Sequence, residues 1–293
     1  MKDLSRNFFK AETVKLFGAV LLPIFLLGIV LGAMNVQVLR MEIERGFRAG
    51  TGYLMEELEN MTTDIESLNE SLTTNPALTL RLKTYMQHAA NEGLQDSEFA
   101  GFNAIQDLIY ASIRQDPYVD SAYIYYEDGA SYFISSQGRL SNLEEYFDTQ
   151  WHQSYLKADL FLRMWKEPRH QVDAEGICHD GLTIYQRIFA GGVSGSDRGL
   201  LVLNLNQARI ERMLEDPDDQ AYVGAFVVDD AGSILFRNST AKEVPEEALE
   251  EILLLNHAGI WMSGYVPRLG RAYTCIGHDI ENYGWHLIRN GMI

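Results

Sequence analysis

Between Lys15 and Arg40 the chain runs for 24 residues, Leu16 to Leu39, without a charged side chain. As a helix rising ~1.5 Å per residue, this stretch reaches roughly 36 Å, against a bilayer hydrocarbon core of about 30 Å. A helix that is apolar on every side has no polar face to give to water, which does not suit the surface of a soluble domain. Pro23 lies inside the run and is tolerated in a bilayer helix where neighbouring groups satisfy the carbonyl it frees. One membrane span over residues 16–39 is expected. The competing reading, a cleaved secretory leader, needs a shorter apolar core closed by a small-x-small site, and Met34, Asn35, Val36 and Gln37 do not provide one. Lys2, Arg6, Lys10 and Lys15 precede the run, while Arg40, Arg45 and Arg48 follow it with Glu42 and Glu44 interleaved. That slight bias places a tail, residues 1–15, in the cytoplasm and the rest of the chain outside the cell.

The residues beyond the span suffice for two small domains or for one large one with a sizeable core. A formal charge of −17 at pH 7 repels phosphate backbones and anionic membrane surfaces, so no nucleic-acid partner is expected. The only cysteines, Cys178 and Cys275, are too few for a disulfide-stapled scaffold and read as unpaired thiols in separate lobes.

After the span, Leu54, Leu58, Met61, Ile65, Leu68 and Leu72 recur at spacings of 4, 3, 4, 3 and 4 among Glu56, Glu57, Glu59, Asp64, Glu66 and Glu70. This heptad seam predicts a helix with one packed and one solvated face. The seam packs on the chain's own globular body, on a second copy, or on both; Gly28 and Gly32, a small-xxx-small pair inside the span, fit the homodimer reading. Asn75-Pro76 ends the helix, and apolar faces predict two more, over 78–90 and 97–114. The period then switches. Strands are expected over 119–126, 131–135, 161–165, 182–189 and 199–206, with helical segments at 143–147 and 151–158. A short helix over 207–214 leads to a second series: strands 223–229 and 232–237, a helix over 245–255, then strands 259–266, 272–278 and 285–289. The order of the first lobe recurs in shorter form. The fold class read from this is α+β, with an outer helical region (residues 40–114) and two antiparallel PAS-like lobes, 115–206 and 207–293.

Trp151 and Tyr155 lie one helical turn apart, with Asp148 a turn earlier, so they share one face. Aromatic side chains beside a carboxylate suit a small polar ligand; equally, Trp151 can anchor a core and Asp148 can cap the helix. Tyr125, Arg169 and Tyr185 join the candidate ligand-binding set from the facing strands and loop. Cys178-His179-Asp180, with His170 eight residues before Cys178, is the one local group of metal-ligand types. Its spacing matches no zinc pattern and reads as a polar surface loop. The glycine-rich connector 190–198 lacks the Gly-Lys-Ser/Thr closure of a phosphate cradle, and no HExxH, nucleophile elbow or Cys-His signature occurs. Neither enzymatic activity, a cofactor nor a metal is expected.

The order of span, long outer helix and two lobes resembles the double Cache sensor region of bacterial transmembrane receptors, above all sensor histidine kinases and AraC-type regulators of Gram-positive bacteria. The segments that carry the resemblance are Val119 to Tyr126, Tyr132 to Gly138, Asp148 to Trp151 with Tyr155, Gly199 to Asn204, Ala225 to Asp229 with Gly232, and Tyr283 to Trp285. It implies a membrane-distal first lobe, a membrane-proximal second lobe, and an extracellular module that binds a small molecule and transmits a conformational signal. Amino-acid-sensing members carry an arginine two residues before a Trp-Tyr pair; here Thr149 stands two before Trp151 and His152 follows it, which argues against an amino-acid ligand. Such receptors continue into a second span and an output module, whereas this chain stops at Ile293. The expectation is a truncated two-component-type receptor, or a sensor-only relative whose output comes from a cytoplasmic or membrane partner. The alternative is a membrane-anchored adaptor that holds another protein through its heptad helix.

Overall fold

A computed structural model describes residues 2–75, 82, 84–85, 88, 96–127, 132–135, 141–143, 146–159, 161–173, 175–189, 198–215, 223–242, 244–245, 262–266, 271–280 and 283–292. The chain forms two compact units, residues 1–53 and 54–293. From Lys2 onward the first is helical, belonging to α1 (Lys2–Thr74). Every side chain from Leu21 to Leu39 is exposed, and the helix is long and apolar enough to cross a membrane.

In the second unit, α1 is followed by α2 (Asp96–Gln115), close to the predicted third helix. The predicted helix over 78–90 lies largely outside the described residues, as does the one over 245–255. One antiparallel sheet follows, built from β1 (Val119–Glu127), β2 (Tyr132–Ser135), β3 (Ser141–Asn142), β4 (Met164–Val172), β5 (Cys178–Phe189) and β6 (Arg198–Leu205) in the order β3-β2-β1-β6-β5-β4. A second sheet, from β7 (Val223–Asp229), β8 (Ile234–Arg237), β9 (Met262–Val266), β10 (Arg271–Ile280) and β11 (Trp285–Met292), has the order β8-β7-β11-β10-β9. Between them α3 (Gln150–Lys157) follows β3, α4 (Gln207–Met213) leads into the second sheet, and α5 (Ser239–Lys242) is a single turn after β8.

Two strand expectations need correction. Residues 161–165 do not form a strand as a unit: Phe161 is 92% exposed, and the strand begins at Met164 and runs to Val172. Its charged residues and Pro168 conceal it, and such a composition is tolerated because β4 is an edge strand, where a missing N–H breaks no interior ladder. Cys178-His179-Asp180 is also not a loop. These residues open β5 and pair with Val172, Gln171 and His170, exposed along that edge. Cys178 is a free, exposed thiol.

The heptad residues Leu54, Leu58, Met61, Ile65, Leu68 and Leu72 are all buried in the core of the chain's own second unit. The seam therefore packs on its own body, and the face it leaves outward carries Glu56, Glu59, Asp64, Glu66 and Glu70. Side chains alternate along a strand, so Gln186 and Tyr185 point to opposite faces of the first sheet. Asn69 of α1 donates to Gln186 at 3.4 Å, placing α1 on one face, while α3 covers the other. The second lobe meets the same helix, Tyr283 donating its hydroxyl to the Thr62 carbonyl at 3.4 Å. At the junction of the sheets, Lys166 of β4 donates to the Tyr283 carbonyl at 2.6 Å and lies over the Tyr283 ring at 4.0 Å and that of Trp285 at 5.2 Å. Burial lowers its amine to about 8, against the upward pull of Glu66 and Asp230.

Candidate functional site

The face of the first sheet under α3 carries a row of polar side chains that crosses four strands. Ser121 on β1 is paired with Asn204 on β6, Asn204 with Thr183 on β5, and Thr183 lies beside β4, where Arg169 is two residues beyond its partner Glu167. Period-two alternation places all four inward. The Asn204 amide donates to the Ser121 hydroxyl at 2.8 Å, and the Thr183 hydroxyl donates to Asn204 Oδ1 at 3.0 Å.

Arg169 ends this row, and all five of its N–H groups are used. Nε donates to Thr183 Oγ1 at 2.9 Å; one terminal nitrogen donates to Asp148 Oδ1 at 2.7 Å and the His170 carbonyl at 3.1 Å; the other donates to Asp148 Oδ2 at 2.7 Å and Asn204 Oδ1 at 2.8 Å. The fork-on-fork pair is buried, its side chains 5% and 0% exposed. Burial works against the guanidinium charge, yet Asp148 outweighs it and holds the Arg169 pKa above its ordinary value. Asp148 also accepts from the Tyr123 hydroxyl at 2.9 Å. Burial, then the Asp148 charge, push that phenol far upward, so it stays a donor. Asp148 is consequently not the helix cap: Thr149 occupies that position without a capping side-chain bond.

Trp151, fully buried, donates its indole N–H to the Asp148 carbonyl at 2.9 Å. Tyr125 packs edge-on against Trp151 (5.6 Å between centroids), Tyr155 (5.8 Å) and His152 (5.2 Å). Tyr185 stacks flat on Trp165 at 4.8 Å, and the Arg187 guanidinium lies over Tyr155 at 5.0 Å and Trp165 at 5.3 Å. The Tyr185 hydroxyl is buried with no hydrogen bond of normal geometry, Ser154 being a near polar neighbour; burial raises its pKa to about 12.

The six candidate residues thus lie on one face of one lobe: Asp148, Trp151, Tyr155 and Tyr125 together, Arg169 bonded to Asp148, and Tyr185 at the side next to β4. The structure also brings in residues that sequence reasoning missed, Tyr123, Ser121, Thr183 and Asn204. A signal for them exists, because each polar member interrupts an otherwise apolar inward row, as Asn204 does within Gly199-Leu-Leu-Val-Leu-Asn-Leu205. The aromatic face and the ion pair fill the space between α3 and the sheet with the chain's own side chains. Of the six, Arg169 alone also lines a cavity of about 680 Å³ between the two lobes.

No protein-family model matches the sequence, and no curated protein matches it. Solved structures do. An extracellular domain assigned to a histidine kinase, rpHK1S-Z16, is similar over 86% of this chain and 95% of that chain, at 10% identity and a TM-score of 0.52. The ligand-binding domain of the amino acid chemoreceptor PctC of Pseudomonas aeruginosa PAO1, in complex with GABA, is similar over 83% of this chain and 96% of that chain, at 16% identity and a TM-score of 0.50. The fold is double Cache-like. In this double Cache-like architecture the long helix, the two antiparallel sheets and the helix over the first sheet form one arrangement, and the polar row with its aromatic cover occupies the first lobe.

Proposed function

We propose that this chain is a membrane-anchored extracellular sensor that binds a small polar molecule in its first lobe and passes the change to its long helix. In this reading residues 1–15 are cytoplasmic, 16–39 cross the membrane, and the remainder is outside, with the lobe of residues 115–206 distal and that of 207–293 proximal to the bilayer. The change is passed on to an output module, as in two-component systems.

The observation that carries this reading is the self-satisfied Asp148–Arg169 pair beneath Trp151, Tyr155 and Tyr125. A ligand entering between α3 and the sheet must replace bonds that the protein already makes. Binding is then tied to a movement of α3, and a ligand biases the two arrangements only by its differential affinity for them, typically ~1–3 kcal/mol. The sheet is packed on the other face by the Leu54–Leu72 stretch of α1, which offers a path for that bias. The similarity to sensor domains of histidine kinases and chemoreceptors supports the role; Thr149 and His152 argue for a ligand other than the amino acids those chemoreceptors bind. Burial of the heptad seam supports the sensor reading over that of an adaptor.

The full chain in lipid nanodiscs, screened by thermal shift against sugars, organic acids and amino acids, tests the proposal. A first-lobe ligand should raise the melting temperature by mass action, and Tyr125→Phe, Trp151→Phe or Asn204→Ala should weaken its shift while the unliganded protein still melts cooperatively. Shifts unaffected by all three variants would place the ligand elsewhere.

A further inference from the structure

Arg237 closes β8 and lines the inter-lobe cavity, facing residues of the first lobe that include Gln150, Pro168 and Leu182. It is half-buried, and among the described residues its side chain has no ion pair or hydrogen bond. The other arginine and the lysine of the cavity are matched: Arg169 is held by Asp148, and Lys242 by Glu211 at 2.5 Å, while the His170 ring lies 2.5 Å from Asp180. Among the described residues, a chain of net charge −17 thus keeps one unmatched guanidinium at a concave surface of about 680 Å³, within the usual range of small-molecule sites.

We propose that this cleft binds a small organic monocarboxylate, its carboxylate on Arg237 and its apolar body on Leu182, Ile234 and Leu235. Two features choose the class. A guanidinium fork matches the planar carboxylate with two parallel hydrogen bonds. A single unmatched cation, with Glu211 and Asp180 on the same walls, accommodates one negative charge and disfavours a dianion such as phosphate. Leu182, Ile234 and Leu235 in the lining offer the remainder of the ligand an apolar contact, and the Gln150 amide, at the first position of α3, provides a donor from the opposite lobe. The site is separate from the Trp151 face and does not depend on the sensing proposal.

Isothermal titration of the full chain in nanodiscs with benzoate, hexanoate and inorganic phosphate tests this. Benzoate or hexanoate should bind, phosphate should not, and Arg237→Gln should weaken the carboxylate at least tenfold. Gln150→Glu is the second variant: an acid in the first turn of a helix favours the fold through the helix dipole, yet it repels a carboxylate in the cleft. It should weaken binding several-fold with no loss of melting temperature. The proposal is overturned if neither carboxylate binds the wild-type chain, if phosphate binds as well as they do, or if both variants bind like wild type. Should Arg237→Gln fail to fold, the Gln150→Glu result decides alone.

Discussion

Removing one partner of the Asp148–Arg169 pair should cost far more than removing both. In Asp148→Leu the guanidinium remains buried, 5% exposed, with two of its five hydrogen bonds lost, and the Tyr123 hydroxyl loses its acceptor as well. Breaking a buried ion pair from one side typically costs ~3–5 kcal/mol, because the remaining charge is desolvated without compensation. For a domain of this size 1 kcal/mol shifts the melting temperature by roughly 2–4 °C, so a fall of about 6–20 °C is expected. Arg169→Met should behave alike, since it leaves a buried carboxylate whose remaining side-chain partner is the Tyr123 hydroxyl. In Asp148→Leu/Arg169→Met neither charge remains, and exchange of a buried pair for apolar groups is often close to neutral. The double variant should therefore melt above either single one, with a coupling energy of ~2 kcal/mol or more in a double-mutant cycle. Circular dichroism melts of the four proteins in nanodiscs provide the cycle. Additive losses would refute the reasoning, as would a fall of under about 2 °C in Asp148→Leu.

Other consequences are simpler. Trp151→Ala removes a fully buried indole and should cost ~3–5 kcal/mol of stability, measured by chemical denaturation, whereas Phe161→Ser, at a 92% exposed site, should change it by under about 0.5 kcal/mol. Lys166 has a folded pKa of about 8, below the ordinary 10.5, so the unfolded chain holds the extra proton between those values. Its contribution to stability accordingly rises with pH through that window. Wild type should gain ~1–2 kcal/mol relative to Lys166→Met between pH 7.5 and 10, a figure reduced for partial exposure; a flat difference in denaturation midpoints across that range would contradict it. Gly284 has φ +60°, and a Cβ there would lie 2.5 Å from Asp230 Oδ2, so Gly284→Ala should destabilise by about 1 kcal/mol or more in the same assay.

Local periodicity accounts for what was legible in the sequence. The heptad from Leu54 to Leu72, the α2 helix and the alternating strands around Tyr123, Leu201 and Val227 each announce themselves within a dozen residues, and with them the α+β class and the repeated order of elements. The partner of the heptad could not be read, because a buried seam looks the same whether its own lobe or a second copy covers it. Strand β4 is expected too early, over 161–165, because an edge strand with Pro168 among charged residues lacks the alternation of an interior one. At the candidate site, Trp151 and Tyr155 share a helical face and Asp148 stands just before that helix, so the three are legible together. The pairing of Arg169 is hidden from the sequence because its bond to Asp148 spans 21 residues and depends on the register of β4 against β5, which no local pattern fixes. Ser121, Thr183 and Asn204 become a row only once three strands are paired.

Hydrogen–deuterium exchange on the full chain in nanodiscs, with and without the small molecule that gives the largest thermal shift, tests the central claim most directly. The account predicts altered exchange in two places at once, the segment 148–155 and the stretch 54–74 of α1, with both changes diminished in Asn204→Ala. Protection confined to 148–155 with α1 unchanged, or no change in either segment at saturating ligand, would contradict it.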